Sequence, residues 1–465
     1  MKRDYKDIFG FIENNRELYL EWFYEACRIP SVSTEGRCME EMATHLDAFL
    51  RERLGVESTI LPSGGYPFVC SELPGTANAS KKAKKTILFY NHYDVQPVEP
   101  LEEWETEPFT PTVRDGRVWG RGTADNKGSM FARLCALHAW RAVRGELPLD
   151  VKLFFEGEEE IGSPHLCEGP VRYPERIACD GMLWEGESKD VGGPLHIALG
   201  VKGLTYFQLN VRTAPHDLHS AEAGIVPNPA WRLVWALSTI KDENERILIE
   251  GFYDEIEKIT EEDRFFLDHM PYPEEDAKRH YGIRDFLGGL SGYDLKARLL
   301  YEPTANICGI VSGYTAPGSK TIVPALASAK LDFRLVPHMR AEKVAVLLRR
   351  HLDKHGFSDI EIELLSGKPP YRTDPADPLV KSVISCAEAV YGCYPAVYRN
   401  MSGTTSMYDF CTAIGAPAVL VGVANEDSRA HAPNENIFVE DYISGIKLIA
   451  AVLGEYARSG VDGDG

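Results

Sequence analysis

Four short, largely apolar runs constrain this chain more than any other feature: Thr86–Tyr90, Val151–Phe155, Gly181–Trp184 and Ala418–Val423. Apolar character over so few residues, with helical segments between the runs, is the pattern of strands in a parallel sheet covered on both faces. The outer portions of the chain therefore predict a doubly wound, mostly parallel-sheet α/β domain. Helices are expected at Tyr5–Arg28, where Pro30 ends the pattern, at Met39–Arg53 and at Ser129–Val143.

The middle of the chain follows a different rule. Thr205–Arg212 and Ala329–Leu335 alternate apolar and polar residues, as strands with one buried and one open face do. Together with a helix near Pro229–Ile240, a strand near Ala305–Val311, a helix at Ala341–His355 and a strand at Asp359–Leu364, they give the order β-α-β-β-α-β of a ferredoxin-like α+β layer. A chain of 465 residues exceeds the size at which one core keeps growing. The expected division is a catalytic domain in two parts, 1–201 and 369–465, interrupted by an α+β domain at 202–368. The acidic, aromatic-rich stretch Lys241–Pro303 is an insertion without an assigned role.

A net charge of −20 argues against nucleic acid or an anionic membrane as partner. No run reaches the roughly 18 apolar residues of a membrane-spanning helix. Met1–Asp7 lacks the apolar core and cleavage site of a signal peptide. The ten cysteines show no metal-finger or redox spacing, and Cys135, Cys308 and Cys411 sit in apolar runs and read as reduced core residues. These features predict a cytoplasmic protein. Lys81–Lys85 reads as a solvated loop.

Candidate chemistry lies where the apolar runs end. His92 and Asp94 follow the first run, Glu158, Glu159 and Glu160 the second, Glu185 ends the third, and His431 lies a short loop beyond the fourth. Ligands of open α/β sheets collect outside the carboxyl ends of the strands, so four separate runs deliver acids and histidines to one edge. Asp125 stands on the glycine-flanked loop Gly120–Gly128, where a side chain can be aimed without helix or strand constraint. Imidazole nitrogen mixed with carboxylate oxygen suits zinc or a similar divalent ion. Taken singly, a histidine after a strand is usually structural, and three consecutive glutamates usually form a solvated face. Here Phe154, Phe155 and Ile161 bracket the glutamates, which argues against plain solvation. Gly120-Arg-Gly122 has neither the third glycine nor the preceding buried strand of a dinucleotide loop. No Gly-x-Ser-x-Gly elbow occurs, and His138, in a predicted helix without an acidic neighbour, reads as packing.

Taken together, His92-Tyr-Asp94, Gly120-Arg-Gly-Thr-Ala-Asp-Asn-Lys-Gly128, Glu156-Gly-Glu-Glu-Glu-Ile-Gly-Ser163 and His431-Ala-Pro-Asn-Glu435 resemble the signatures of the dinuclear-zinc metallopeptidases. That family includes the carnosine-type dipeptidases, carboxypeptidase G, aminoacylases and acetylornithine deacetylase. The resemblance covers nearly the whole chain and is strongest to the carnosine-type dipeptidases, because the inserted segment is long and Arg334-Leu-Val-Pro337 matches. It implies one metal held by His92 and Glu185, a second by Glu160 and His431, and Asp125 as the bridge between them. It implies Glu159 as general base and Asp94 as the acid that orients His92. His219 would stabilise the oxyanion in the other subunit's site, and Arg334 would bind the substrate carboxylate. The cofactors implied are two divalent ions per subunit, Zn2+ first, with Mn2+ or Co2+ as alternatives. The inserted domain becomes a lid and dimerisation domain, and the protein a homodimer.

The implied reaction is amide hydrolysis of dipeptides or small peptides with a free carboxylate, by metal-activated water with a Glu base. An N-acyl amino acid deacylase of the same mechanism is the alternative. Within Trp184-Glu-Gly-Glu187 a shifted alignment would put Glu187 in place of Glu185. Dipeptidases of the family often carry aspartate there, the deacylases and carboxypeptidases glutamate. His219-Ser-Ala221 departs from the family's His-Ser-Gly, and Ser402-Gly-Thr-Thr-Ser406 replaces its late glycine-serine loop. The full ligand set and the base are present, which speaks against a non-catalytic binding protein on this scaffold.

Overall fold

The computed structural model describes residues 5–76 and 84–459. Of the basic stretch read as a solvated loop, 81–83 lie outside that range. Lys85 is docked rather than solvated, its Nζ donating to the Tyr456 carbonyl at 3.1 Å and to Ser459 Oγ at 2.6 Å.

All four apolar runs are strands, and they lie side by side in the order Asp150–Glu156, Thr86–His92, Gly181–Trp184, Ala418–Leu420. Every pairing among them is parallel. The sheet reaches eight strands through Phe68–Leu73 and Ser58–Leu61 at one side and His196–Ala198 and Ala396–Tyr398 at the other. It is mixed rather than mostly parallel: four of its seven pairings are parallel and three antiparallel. The reason is local. Ser58–Leu61 and Phe68–Leu73 form a hairpin, which needs no crossover helix, and Ser71 and Glu72 break the apolar pattern that marks a central strand.

Successive side chains of a strand point to opposite faces, and Phe89 and Tyr90 show both faces covered. Phe89 lies under the Arg133 guanidinium, 5.8 Å from its ring centroid, on the helix Lys127–Arg144. Tyr90 stacks on Trp184 at 3.7 Å and packs on Phe410 at 5.8 Å. The helix Lys127–Arg144 also packs on the long C-terminal helix Val439–Arg458 and on Arg16–Cys27. The expected Tyr5–Arg28 helix is two helices, Lys6–Asn14 and Arg16–Cys27, parted at Asn15, whose Nδ2 donates to the Phe11 carbonyl at 2.8 Å. His138 is packing: its ring meets Trp22 edge-on, and Tyr19 Oη lies 2.9 Å from Nδ1.

The chain divides into two compact units, one of Met1–Gly200, Thr373–Arg399 and Asp409–Gly465, the other of Val201–Arg372 and Asn400–Tyr408. The sequence boundaries group Asn400–Tyr408 with the outer domain, whereas the structure packs it with the second unit. That unit holds an antiparallel sheet ordered Thr304–Ser312, Leu326–Leu335, Gly203–Arg212, Glu361–Lys368. With the helices Pro229–Ser238 and Ala341–Lys354 this gives the chain order β-α-β-β-α-β. Phe207, Leu209, Val211, Leu331 and Phe333 supply the buried face, against Leu233 and Leu348. Cys308 departs from its expected place in a core. It is exposed on the open face, with Sγ 2.9 Å from Asp332 Oδ2, because its strand lies at the sheet edge. The insertion contributes the helices Glu261–His269, Glu274–Tyr281 and Gly292–Tyr301, the first begun by a Thr260–Asp263 capping box. Among the described residues no helix is long and apolar enough to cross a membrane.

Candidate metal centre

His92 is the last residue of its strand and is wholly buried. Its ring is fixed at both nitrogens. Nδ1 lies 3.1 Å from the Asp94 carbonyl oxygen and 3.3 Å from Asp94 Oδ1, and Nε2 lies 3.0 Å from Asp125 Oδ1. The Asp94 carboxylate also accepts the backbone N–H groups of Glu159 at 3.3 Å and Glu160 at 3.0 Å. One buried acid thus ties the end of one strand to the turn that follows its neighbour. That turn is tightly seated, since a Cβ on Gly157 would come within 2.5 Å of the Tyr93 ring. Of the three consecutive glutamates, Glu158 pairs with His165 at 2.8 Å, while Glu159 and Glu160 face the histidines.

Asp125 depends on a residue more than three hundred positions away. The buried carboxylate of Glu435 accepts the N–H groups of Ala124 at 2.8 Å, Asp125 at 2.9 Å and Gly122 at 2.9 Å, and pairs with Arg121 at 2.7 Å. Lys127, also buried, donates to the carbonyls of Ala26 and Ile29 at 3.0 and 2.6 Å, fixing the other end of the loop. The loop that ends at Glu435 carries His431 in the left-handed region, φ 64°, a conformation that non-glycine residues keep only where surrounding structure holds it. Its Nε2 lies 3.1 Å from Asp125 Oδ2 and 3.0 Å from Glu160 Oε2. Asp125 therefore presents one oxygen to each of two imidazoles. Single donor atoms of His92, Asp125 and Glu160 all lie within 4.8 Å of one another.

Glu185 follows its strand directly and accepts Asn126 Nδ2 on Oε2 at 3.4 Å. Glu187 lies beyond Gly186 and near His196, whereas Glu185 carries the bond to Asn126. Gln96 donates to Glu160 Oε2 at 2.8 Å.

The electrostatics describe a place that wants cations. Burial opposes a charge on His92, yet its hydrogen bonds with Asp125 and Asp94 outweigh that and hold the imidazole well above its usual pKa. Hydrogen bonds to Asp125 and Glu160 raise His431 to about 10. Burial would raise Asp125, but the two imidazoles hold it well below the usual carboxylate range. Glu159 is pushed up to about 7, chiefly by burial and then by its acidic neighbours against the pull of His92. Burial, with the charge of Glu159, takes Glu185 to about 8. Five carboxylates and two imidazoles share the site, and protons on the histidines stand in for positive charge. Imidazole nitrogens and carboxylate oxygens in this mixture suit a divalent transition ion, which would displace those protons. The donor set fits a metal.

His219 and Arg334 belong to the second unit. His219 is exposed on the short strand Leu218–His219, its Nδ1 accepting the Ala221 N–H at 3.1 Å. Arg334 donates to Thr404 Oγ1 at 2.8 Å, and that hydroxyl donates to the Lys202 carbonyl at 2.7 Å. Sequence reasoning gave no role to Glu435, Gln96, Asn91 or Asn126. The available signal was proximity, since Asn91 and Asn126 each adjoin a candidate ligand and Glu435 closes the motif that begins at His431.

A family model described as peptidase family M20/M25/M40 matches residues 88–455. Among curated proteins, the chain is 30% identical to a Beta-Ala-His dipeptidase of Homo sapiens, over 97% of this chain and 92% of that one. Among solved structures, it is similar to the M20 family metallo-carboxypeptidase Sso-CP2 from Sulfolobus solfataricus, with 40% identity and a TM-score of 0.83 over 94% and 99% of the two chains. It is also similar to the dipeptidase Dug1p from Saccharomyces cerevisiae, with 25% identity and a TM-score of 0.77 over 99% and 100%.

Proposed function

The chain belongs to peptidase family M20/M25/M40, and from that premise we propose that it is a metal-dependent dipeptidase acting on dipeptides or small peptides with a free carboxylate. The observation that carries the reading is Asp125, whose two oxygens each face a different histidine. This is the arrangement a carboxylate shared by two ions requires. In this reading His92 and Glu185 hold one ion, Glu160 and His431 the other, with zinc the first choice of metal. Such ions would supply the Lewis acidity that makes water a nucleophile at neutral pH and polarises the scissile carbonyl.

The remaining work falls to the chain's own side chains. Asp94 holds the His92 ring in one orientation. Glu159, with a pKa near neutrality, takes the proton of the attacking water and delivers it to the departing amine nitrogen. Arg334 grips the substrate's free carboxylate through its forked donors, already oriented by Thr404. Residues 1–201 and 369–465, apart from Asn400–Tyr408, serve as catalytic domain, and 202–368 with Asn400–Tyr408 as lid and dimerisation domain. The partner's His219 stabilises the oxyanion. Dimerisation is supported by apolar surface on the second unit: Trp231, Val234 and Trp235 are exposed on one helix, and Ile307, Ile310 and Val311 on the edge strand. A cytoplasmic location is supported by the cysteines, none of which forms a disulfide.

A second reading, removal of the C-terminal residue from longer peptides, is favoured by the 40% identity to a protein named a metallo-carboxypeptidase. A hydrolysis screen of dipeptides, longer peptides, and N-acetyl and N-succinyl amino acids, run alongside metal analysis of the purified protein, separates the readings. Dipeptides turned over fastest by a zinc-containing protein is the expected result. Preference for N-acyl amino acids would make it a deacylase.

A further inference from the structure

We propose that Arg133 is a positioning residue for the metal centre, acting on Glu185 through the side chains of Asn91 and Asn126; the inference rests on the metallopeptidase reading above. Arg133 lies on the helix Lys127–Arg144, 2% exposed, beneath the carboxyl ends of three strands. Its Nη1 donates to the Tyr90 carbonyl at 2.7 Å, the Leu183 carbonyl at 2.9 Å and Asn91 Oδ1 at 2.9 Å. Its Nη2 donates to the carbonyls of Trp184 at 2.6 Å and Val421 at 3.0 Å. These five bonds all end on neutral oxygens. A buried cation solvated only by dipoles is costly, so its retention asks for a charge elsewhere that it serves.

The hydrogen bonds lead to that charge. Asn91 Nδ2 donates to Asn126 Oδ1 at 2.5 Å, and Asn126 Nδ2 donates to Glu185 Oε2 at 3.4 Å. A guanidinium can only donate, and the Glu185 carboxylate, ionised as a metal ligand must be, can only accept. The two amides between them are therefore locked in one orientation, oxygen toward Arg133 and nitrogen toward Glu185. Both asparagines are buried, 0% and 1% exposed, so water does not compete, and a chain polarised in one direction strengthens each of its bonds. The same guanidinium holds the carbonyls of Leu183 and Trp184, the two residues before Glu185. Backbone and carboxylate of one candidate ligand are thus referenced to a single fixed cation.

The carbonyl bonds alone would make Arg133 a structural staple, and Asn91→Leu separates the two roles. It cuts the relay and leaves all four carbonyl bonds in place. In the full-length enzyme, zinc affinity is measured by competition with a chromogenic chelator, and thermal unfolding is followed on the metal-free protein. The expected result is one zinc weakened about 10- to 100-fold and the other unchanged, with the metal-free unfolding temperature lowered no further than the loss of Asn91's two buried hydrogen bonds accounts for. Arg133→Met, where it folds, weakens the same zinc, and adding Asn91→Leu to it weakens that zinc no further. Parental affinity for both ions in Asn91→Leu overturns the proposal. So does a loss on both ions that accompanies a lowered metal-free unfolding temperature. A parent enzyme that binds no zinc sinks both the inference and the reading beneath it, whereas an unaffected Asn91→Leu sinks the inference alone.

Discussion

Glu159 carries the chemistry that is easiest to test at the scale of a residue. Burial brings its metal-free pKa to about 7, and divalent cations alongside would draw it lower by favouring the ionised form. The base is active only when ionised, so kcat/KM is expected to rise with pH through an acid limb at or below about 7. Glu159→Gln removes that limb and lowers kcat by at least ~100-fold, while bound metal stays at the parental level. Loss of metal with the activity would make Glu159 a ligand instead. The assignment of Glu159 as base and Glu160 as ligand came from resemblance, because three consecutive acids look alike in a sequence. Their separate directions come from the turn after the strand, where Asp94 holds the two N–H groups and His165 draws Glu158 aside.

At the scale of elements, the site depends on loops pinned from a distance. Glu435 gathers three N–H groups and the Arg121 guanidinium around the Asp125 loop, with both side chains buried. Glu435→Ala leaves Arg121 buried without its counter-charge, a loss of about 3–5 kcal/mol, read as a lowered midpoint in urea unfolding. Glu435→Gln, which keeps the shape and an acceptor, is expected to lose less; equal losses would mean that the charge pair is not what matters. The strand ends that carry His92, Glu159, Glu160 and Glu185 were legible because parallel strands covered on both faces are apolar throughout. The hairpin Ser58–Leu61 with Phe68–Leu73 was not, since Ser58–Leu61 is an edge strand, where the demand for apolar residues relaxes, and Ser71 and Glu72 interrupt the apolar run of Phe68–Leu73. Cys308 misled for a related reason: an apolar run on an edge strand leaves one face open whatever its composition.

For the whole molecule, the proposal that His219 serves the partner's site makes a prediction that no single chain can satisfy. His219→Ala and Glu159→Ala are each expected to be nearly inactive with metal content intact. Mixed and allowed to exchange subunits, they should regain part of the parental activity, because a heterodimer holds one site with both residues native; no recovery at any mixing ratio would count against a shared site. Ile310→Lys on the exposed edge strand should shift the protein toward monomer in sedimentation and lower activity with it. By itself, the sequence determined the central parallel strands, the α+β insertion and the clustering of acids and histidines at one sheet edge. Those follow from periodicity and from where apolar runs stop, which are local properties. Only the tertiary structure decided that each oxygen of Asp125 meets a different histidine, that Glu435 shapes its loop, and that Arg133 reaches Glu185 through two asparagines. These contacts join residues up to hundreds of positions apart, and no local pattern encodes which buried polar group will satisfy which.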